Sequence, residues 1–214
     1  MLRICLITLG SPDQLTGGYL YHRRLADLAP LHDACVDFLS LPPAPFPFPV
    51  LGTPRVRHHT READVAVVDS IAAAFLAPLV AAAALAPPLV AILHQPPGGI
   101  DHGRLRTGLQ ASLDRITYRR CRLLLAASEA LAVAIADVGP PVQVAAPGTD
   151  VAPPPREPPP DLRRGRATAI VTVGNWVARK GMVDLLDAVA RLPDAAATLH
   201  LVGRTDADPR YGAT

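Results

Sequence analysis

Short apolar runs alternate with segments of helical period along most of this chain. Six runs rich in Val, Ile and Leu read as strands: Leu2 to Leu9, Ala34 to Leu41, Asp64 to Val68, Leu89 to Leu93, Arg122 to Ala127 and Val142 to Ala146. Between them apolar residues recur every three or four positions. The spacing puts Tyr21, Leu25 and Leu28 on the inner stripe of one helix, and Leu105, Leu109, Leu113 and Ile116 on that of another. Ser128 is placed to cap a third helix, with Leu131, Ile135 and Val138 facing inward and Gly139-Pro140-Pro141 as its stop. Alternation of this kind predicts an α/β fold, a parallel sheet with helices on both faces. Ligands of such sheets bind beyond the C-terminal ends of the strands, so the loops there carry the candidate chemistry.

The rhythm is interrupted twice. Pro42 to Pro49, "PPAPFPFP", predicts a stiff exposed excursion between the second and third strands. Val151 to Gly165, "VAPPPREPPPDLRRG", replaces the apolar rhythm with proline and charge and reads as a linker. The pattern then restarts with a strand at Ala167 to Val173, a helix at Met182 to Leu192 and a strand at Ala197 to Val202. Met182, Leu185, Leu186, Val189 and Leu192 form that helix's apolar face. The expected organisation is a first domain over 1–150, a linker over 151–166 and the start of a second domain over 167–214. One βαβ unit is far below the size that folds alone, so the second domain is expected to be incomplete and to expose apolar surface that invites association.

Composition narrows the classes. Half of the 214 residues are hydrophobic and 19% are charged, enough for a substantial core. A net charge of +2 gives no bulk electrostatic case for nucleic acid. Cys5, Cys35 and Cys121 are odd in number and lack C-x-x-C spacing, which indicates neither a disulfide framework nor zinc. The N-terminal run has no cleavage-like site, and the expected setting is reducing and cytoplasmic. Ser70 to Leu93 is uncharged and long enough to span a bilayer, but Pro78, Pro87 and Pro88 cut it into helix and strand lengths. Arg119, Arg120 and Arg122, with Arg55, Arg57 and Arg61, suit either a solvated face or an anionic lipid or acceptor, which leaves peripheral contact with the inner face of the membrane open.

Three loops carry candidate chemistry. Gly17-Gly18 stands at the entrance to a helix, where backbone N–H groups can approach a phosphate or sugar; it is not G-x-G-x-x-G, which excludes a dinucleotide oxidoreductase reading. His94 ends the fourth strand and precedes a Pro-Pro-Gly-Gly loop, a position from which an imidazole reaches the ligand crevice. "VGNWVARKGM", Val173 to Met182, ends a strand at Gly174 and leads through Asn175, Arg179, Lys180 and Gly181 into a helix, a concentration of positive charge suited to a diphosphate. Asp206 and Asp208 form a D-x-D with no apparent third ligand and read as a loop.

Gly17-Gly18, "HQP", "YRRCRLLLAASEAL", "APGTD" and "VGNWVARKG" followed by "LLDAVARL" and "LHLVG", in this order, resemble the family 4 glycosyltransferases of the GT-B fold. The resemblance implies two Rossmann-like domains, an acceptor-binding N-terminal one and a nucleotide-sugar-binding C-terminal one, and transfer with retention at the anomeric carbon. It implies Gly17 and Gly18 by the donor diphosphate, His94 as the catalytic-site group near the transferring sugar, and Lys180 on the diphosphate. The co-substrate is a nucleotide-sugar, the acceptor a sugar, lipid or small molecule, and no metal or other cofactor is needed. The family commonly has an arginine where this chain has Asn175, with Arg179 as a substitute cation. The family's second half, with its pair of glutamates, does not appear before Thr214, so the chain is expected to be a truncated glycosyltransferase, inactive by itself, or a non-catalytic binding domain of the same fold.

Overall fold

The computed structural model describes residues 1–13, 16–43, 45–48, 50, 53–100, 102–149 and 160–213. Its chain forms two compact units, Met1–Thr149 and Asp150–Thr214. The first is a six-stranded parallel sheet in the order β2-β1-β3-β4-β5-β6, built from β1 (Leu2–Leu9), β2 (Ala34–Leu41), β3 (Val65–Asp69), β4 (Leu89–Leu93), β5 (Leu123–Ala126) and β6 (Val142–Val144). Helices α1 (Gly17–Leu28), α2 (Thr53–His59), α3 (Ala73–Ala81), α4 (Arg104–Tyr118) and α5 (Glu129–Ile135) connect them. This is the Rossmann-like α/β fold expected from the alternation of strands and helices.

Side chains alternate across the strands, so each face of the sheet has its own core. Cys5, Ile7, Leu39, Leu41, Ala66, Val68, Ala91, Leu93, Leu124 and Ala126 face one side, where Val56 of α2, Phe75 and Leu76 of α3, Tyr118 of α4 and Leu131 and Ile135 of α5 cover them. Leu6, Val67 and Ile92 face the other, against Tyr21 of α1. Helix α3 is apolar on nearly every side because it is buried on nearly every side, and no described helix is long and apolar enough to cross a membrane. Ser128 caps α5 as its type and place predict, its hydroxyl accepting the Leu131 N–H at 3.2 Å, and Leu131, Ile135 and Val138 are all buried.

Three expectations need correction. In α1 the inward residues are Tyr19 and His22, while Leu25 and Leu28 are exposed. In α4 the faces are reversed: Gln110, Asp114, Thr117 and Tyr118 are buried, and Leu105, Leu109 and Ile116 face solvent. The reason is the neighbour. Helix α4 packs on α3, whose backbone takes the Thr117 hydroxyl at Ala73 O (2.8 Å), while Asp114 accepts the Gly98 N–H from the loop after β4 (2.8 Å). Polar anchors, not leucines, set the rotation of the helix. Third, the proline-rich excursion is not wholly exposed, since Phe46 packs on Phe75 with ring centroids 5.8 Å apart and lies beneath the Arg106 guanidinium. Ala44 and Pro49 of that segment lie outside the described residues.

The second unit pairs β7 (Thr168–Val173) in parallel with β8 (Ala197–Val202) across helix α6 (Met182–Ala190), with a short α7 (Pro209–Gly212) after β8. Of the expected linker, Val151 to Pro159 lie outside the described residues, as does Asp150. Leu162 to Arg166 run along β8: the Thr198 hydroxyl donates to Arg163 O, and the Arg166 guanidinium to Ala197 O. Met182 is the fully buried residue of α6, while Leu186 and Leu192 keep about two-fifths of their surface in solvent (38% and 44%), so the predicted apolar face is only partly covered.

Candidate functional site

All the strands of the first sheet run in one direction, so the C-terminal ends of β1, β3 and β4 lie along one edge. The chain leaves β1 toward β2 on one side and resumes with β3 on the other, and the crevice at that reversal is where α/β sheets take ligands. Three titratable side chains meet there: His22 from α1, Asp69 from the end of β3 and His94 just past the end of β4.

They are joined in a line. His94 Nε2 lies 3.1 Å from His22 Nε2, and His22 Nδ1 lies 3.7 Å from Asp69 Oδ2, with both the His22 and Asp69 side chains buried. Asp69 is held by the Thr8 hydroxyl at Oδ2 (3.2 Å), and by the Ser70 hydroxyl (3.1 Å) and Ile71 N–H (3.2 Å) at Oδ1. Ser70 Oγ in turn accepts the His94 backbone N–H at 3.2 Å, which ties the ends of β3 and β4 together. The rings pack edge to face: Tyr21 meets His94 at 5.0 Å between centroids, and its hydroxyl donates to Ala145 O at 3.0 Å. Tyr19 donates to the carbonyl of Leu9 at the end of β1.

The electrostatics fix the proton positions. Burial lowers the His22 pKa to about 4 and lowers that of His94 too, against the pull of Asp69, so both imidazoles are neutral near pH 7. Burial also raises the Asp69 carboxyl, while its three donors favour the charged form. Asp69 Oδ2 lies 3.7 Å from His22 Nδ1, beyond hydrogen-bond reach, but a negative charge there favours the proton on that nitrogen; with that tautomer Nε2 accepts and His94 donates from Nε2 across 3.1 Å. His94 is thereby left with a lone pair on Nδ1, in a ring that is half-buried and held from three sides.

The three ligand atoms all lie within 4.8 Å of one another, close enough to consider a metal ion. The line argues against one. Asp69 addresses one nitrogen of His22 and His94 the opposite one, whereas a metal needs lone pairs converging on a single point. The arrangement suits orientation of an imidazole and movement of a proton through it.

Of the residues expected from sequence in this unit, Gly18 and His94 come together: a Cβ on Gly18 would lie 3.4 Å from His94 Cδ2. Gly17 begins α1, with no atom of the described residues within 4 Å of where its Cβ would be. His22 and Asp69 were not foreseen. The available signal for Asp69 is a carboxylate closing an apolar strand at the C-terminal edge of a parallel sheet, one position past the predicted strand end. His22 carries no comparable signal, being one polar residue beside an expected leucine stripe.

In the second unit, β7 ends at Val173, just before Gly174, and a 3-10 turn at Ala178–Lys180 leads to Gly181, whose left-handed backbone (φ 62°) caps α6. The approach is close: Gly203 after β8 (φ 152°) has no room for a side chain, since a Cβ there would fall 1.9 Å from Gly174 O. Asn175 accepts the Arg204 N–H (3.4 Å), which spends its amide oxygen on the loop. Arg179 and Lys180 are exposed, and the Lys180 stem lies over Gly174, within 3.6 Å of where a Cβ would stand. Asp184 occupies the first turn of α6 and its carboxylate lies against Gly181, while the Val183 N–H is taken by the Tyr211 hydroxyl at 3.0 Å. The D-x-D is spent locally: Asp206 pairs with Arg204, and Asp208 caps α7.

Comparison with known proteins gives one kind of answer. No protein-family model matches the chain, and no curated protein matches it. Among solved structures, 99% of the chain superimposes on the apo form of a lipopolysaccharide outer core galactosyltransferase, WaaB, with a TM-score of 0.59 and 14% identical residues. The chain spans 64% of the length of that protein. The likeness is one of fold, GT-B-like.

Proposed function

We propose that this chain comprises the acceptor domain, over 1–150, and the beginning of the nucleotide-sugar domain, over 167–214, of a family 4 glycosyltransferase, transferring a sugar from a nucleotide-sugar to an acceptor with retention. The observation that carries the reading is the Asp69–His22–His94 line, at the sheet's ligand edge and with Gly18 close against the His94 ring. His94 sits beside the transferring sugar, where a neutral, fixed imidazole accepts a hydrogen bond at Nδ1. Gly17 and Gly18 approach the donor diphosphate through their N–H groups. Lys180, with Arg179 in place of the cation absent at Asn175, stabilises the negative charge on the departing diphosphate. The reaction proceeds without a metal, and it gains its rate from groups that hold the transition state more tightly than the bound donor.

His94→Ala tests the reading against the wild-type protein. It is expected to cut transfer by about 100-fold or more while leaving the melting temperature within a few degrees. Transfer at an undiminished rate ends the assignment. Undiminished transfer by Lys180→Ala does the same for the lysine.

A non-catalytic binding domain of the same fold is favoured by one observation: Asp184 places a negative charge at the helix end where a diphosphate would sit. Calorimetry with nucleoside diphosphates and nucleotide-sugars separates the two. A crevice that takes only acceptor gives no heat with either.

A further inference from the structure

We propose that Asp114 is a positioning residue: from inside the fold it fixes the loop that follows β4, and through that loop the place and orientation of the His94 ring. Its Oδ2 accepts the Gly98 N–H at 2.8 Å. Gly98 stands four residues past His94, and the connection is stiff. Pro96 and Pro97 lie within it, and the Gly99 N–H closes a turn on Pro96 O at 3.1 Å. The far end of the loop is docked on α4 without slack. A Cβ on Gly98 (φ 96°) would fall 2.7 Å from Thr107 O, and one on Gly99 (φ 71°) 3.1 Å from Gln110 Nε2. At the near end the Ser70 hydroxyl takes the His94 N–H, so a shift at Gly98 is passed along a short rigid span to the imidazole.

The same carboxyl serves the strand end that carries Asp69. Helix α3 begins four residues past Asp69, and its N-cap, Ala72, has no side chain to accept a first-turn N–H. The Ala74 N–H in that turn acts on Asp114, favouring its charged form. The loops bearing the two ends of the histidine line thus converge on one buried group. Packing alone is a poor account of it. Asp114 is 1% exposed, and its Oδ1 finds no hydrogen-bond partner among the described residues. Neither do Gln110 Oε1 and Tyr118 OH, about one helical turn to either side on the same buried face. Burial pushes the carboxyl up to about 7, a sign of what its charge costs there. A leucine would fill the place without that cost. What it could not do is hold the Gly98 N–H.

The consequence for sugar transfer rests on the reading proposed above and falls with it if His94→Ala transfers undiminished. The positioning itself is measured without a substrate. The test is the ring-nitrogen magnetic resonance spectrum of isotope-labelled histidine in the protein, with the His94 signals assigned by their loss in His94→Ala. Asp114→Leu is expected to displace or split the His94 ring signals and to speed exchange of the Gly98 amide by more than about tenfold. Asp114→Asn, which keeps an acceptor for that N–H, should restore both. Thr117→Val is the control for stability alone: it removes the hydroxyl bond to Ala73 O from the same helix face and should lower the melting temperature while leaving the His94 signals in place. Unmoved His94 signals in Asp114→Leu overturn the proposal, as does an equal displacement in Thr117→Val. The wild type supplies a measurement that no misfolded variant can spoil. Its Gly98 amide should exchange at least about 100-fold more slowly than a free peptide, and exchange at the free rate overturns the proposal as well.

Discussion

The histidine line of the first unit and the cationic corner of the second hold their polar groups by opposite means. His22 and Asp69 are sealed in the fold, and each neighbour fixes the next through a side chain. Lys180 stands at the surface, and what is fixed there is the backbone: Gly174, Gly181 and Gly203 bring two strand ends and a helix start close together. A buried polar cluster is preorganised but couples its chemistry to stability. An exposed charge on a rigid turn leaves stability alone and can be changed freely. The two regions should therefore fail in different ways when altered.

The largest effect is expected from the backbone of the second unit. Gly203→Ala puts a Cβ where Gly174 O already stands, at a φ that other residues rarely adopt, and should destabilise that unit by roughly 3 kcal/mol or more. Trp176, the single tryptophan of the chain, follows Gly174 and reports on this unit alone. Its fluorescence should unfold early in denaturant while the far-ultraviolet signal of the first sheet keeps its midpoint. Coincident unfolding at the wild-type midpoint would show that the close approach is not needed.

Two buried groups of the first unit should give the next largest effects, with opposite signs in pH. His22, lowered to about 4, binds a proton more readily unfolded than folded, so its contribution is complete above about pH 6.5 and is lost as pH falls toward 4. The lowered pKa of His94 acts in the same direction. Asp114, raised to about 7 by burial, binds a proton more readily folded than unfolded, so its contribution is complete below its ordinary value and is lost as pH rises to 7. The raised carboxyl of Asp69 adds to that slope. In the wild type the slopes oppose one another between pH 4 and 6.5. Asp114→Asn keeps an acceptor for the Gly98 N–H and should stabilise the protein at pH 8, on the order of 3 kcal/mol, with no gain at pH 4. His22→Leu leaves Asp69 and His94 without their shared neighbour and should cost about 2 to 4 kcal/mol at pH 7, while making the decline in stability toward acid shallower. Denaturant midpoints across the pH range check both. Parallel curves for wild type and Asp114→Asn would mean that Asp114 is ionised in the fold.

The same contrast explains what could be read in the sequence. The six strands and the capped helix α5 were legible because burial on both faces of a parallel sheet leaves an unbroken apolar run, and because Ser128 acts on its own helix. The faces of α1 and α4 were not. Periodicity locates a stripe but is silent about which side meets the core, and here Asp114 and Thr117 find partners on Gly98 and Ala73 that no local pattern announces. Gly18 and His94 could be singled out because each sits at a recognisable joint between elements, and the fold brings them into contact. His22 and Asp69 were missed because their role exists only between elements 47 residues apart in sequence, and buried polar residues look like surface ones until the sheet is assembled.

Lys180 offers the sharpest test of the exposed region, because stability and function should separate there. Its ammonium is in solvent and only its stem touches Gly174, so Lys180→Ala should move the midpoint of Trp176 unfolding by no more than about 0.5 kcal/mol. If the turn receives a diphosphate, the same change should weaken nucleoside diphosphate binding by about tenfold, since a charge-assisted contact is removed while the Gly181 and α6 backbone stays in place. The change in Trp176 fluorescence on titration measures this in the protein as it stands. Asp184→Asn, which takes away the opposing charge at the start of α6, should shift affinity the other way by a few-fold. Equal affinity in all three proteins would remove Lys180 from the diphosphate site and leave the histidine line as the better supported candidate centre of chemistry.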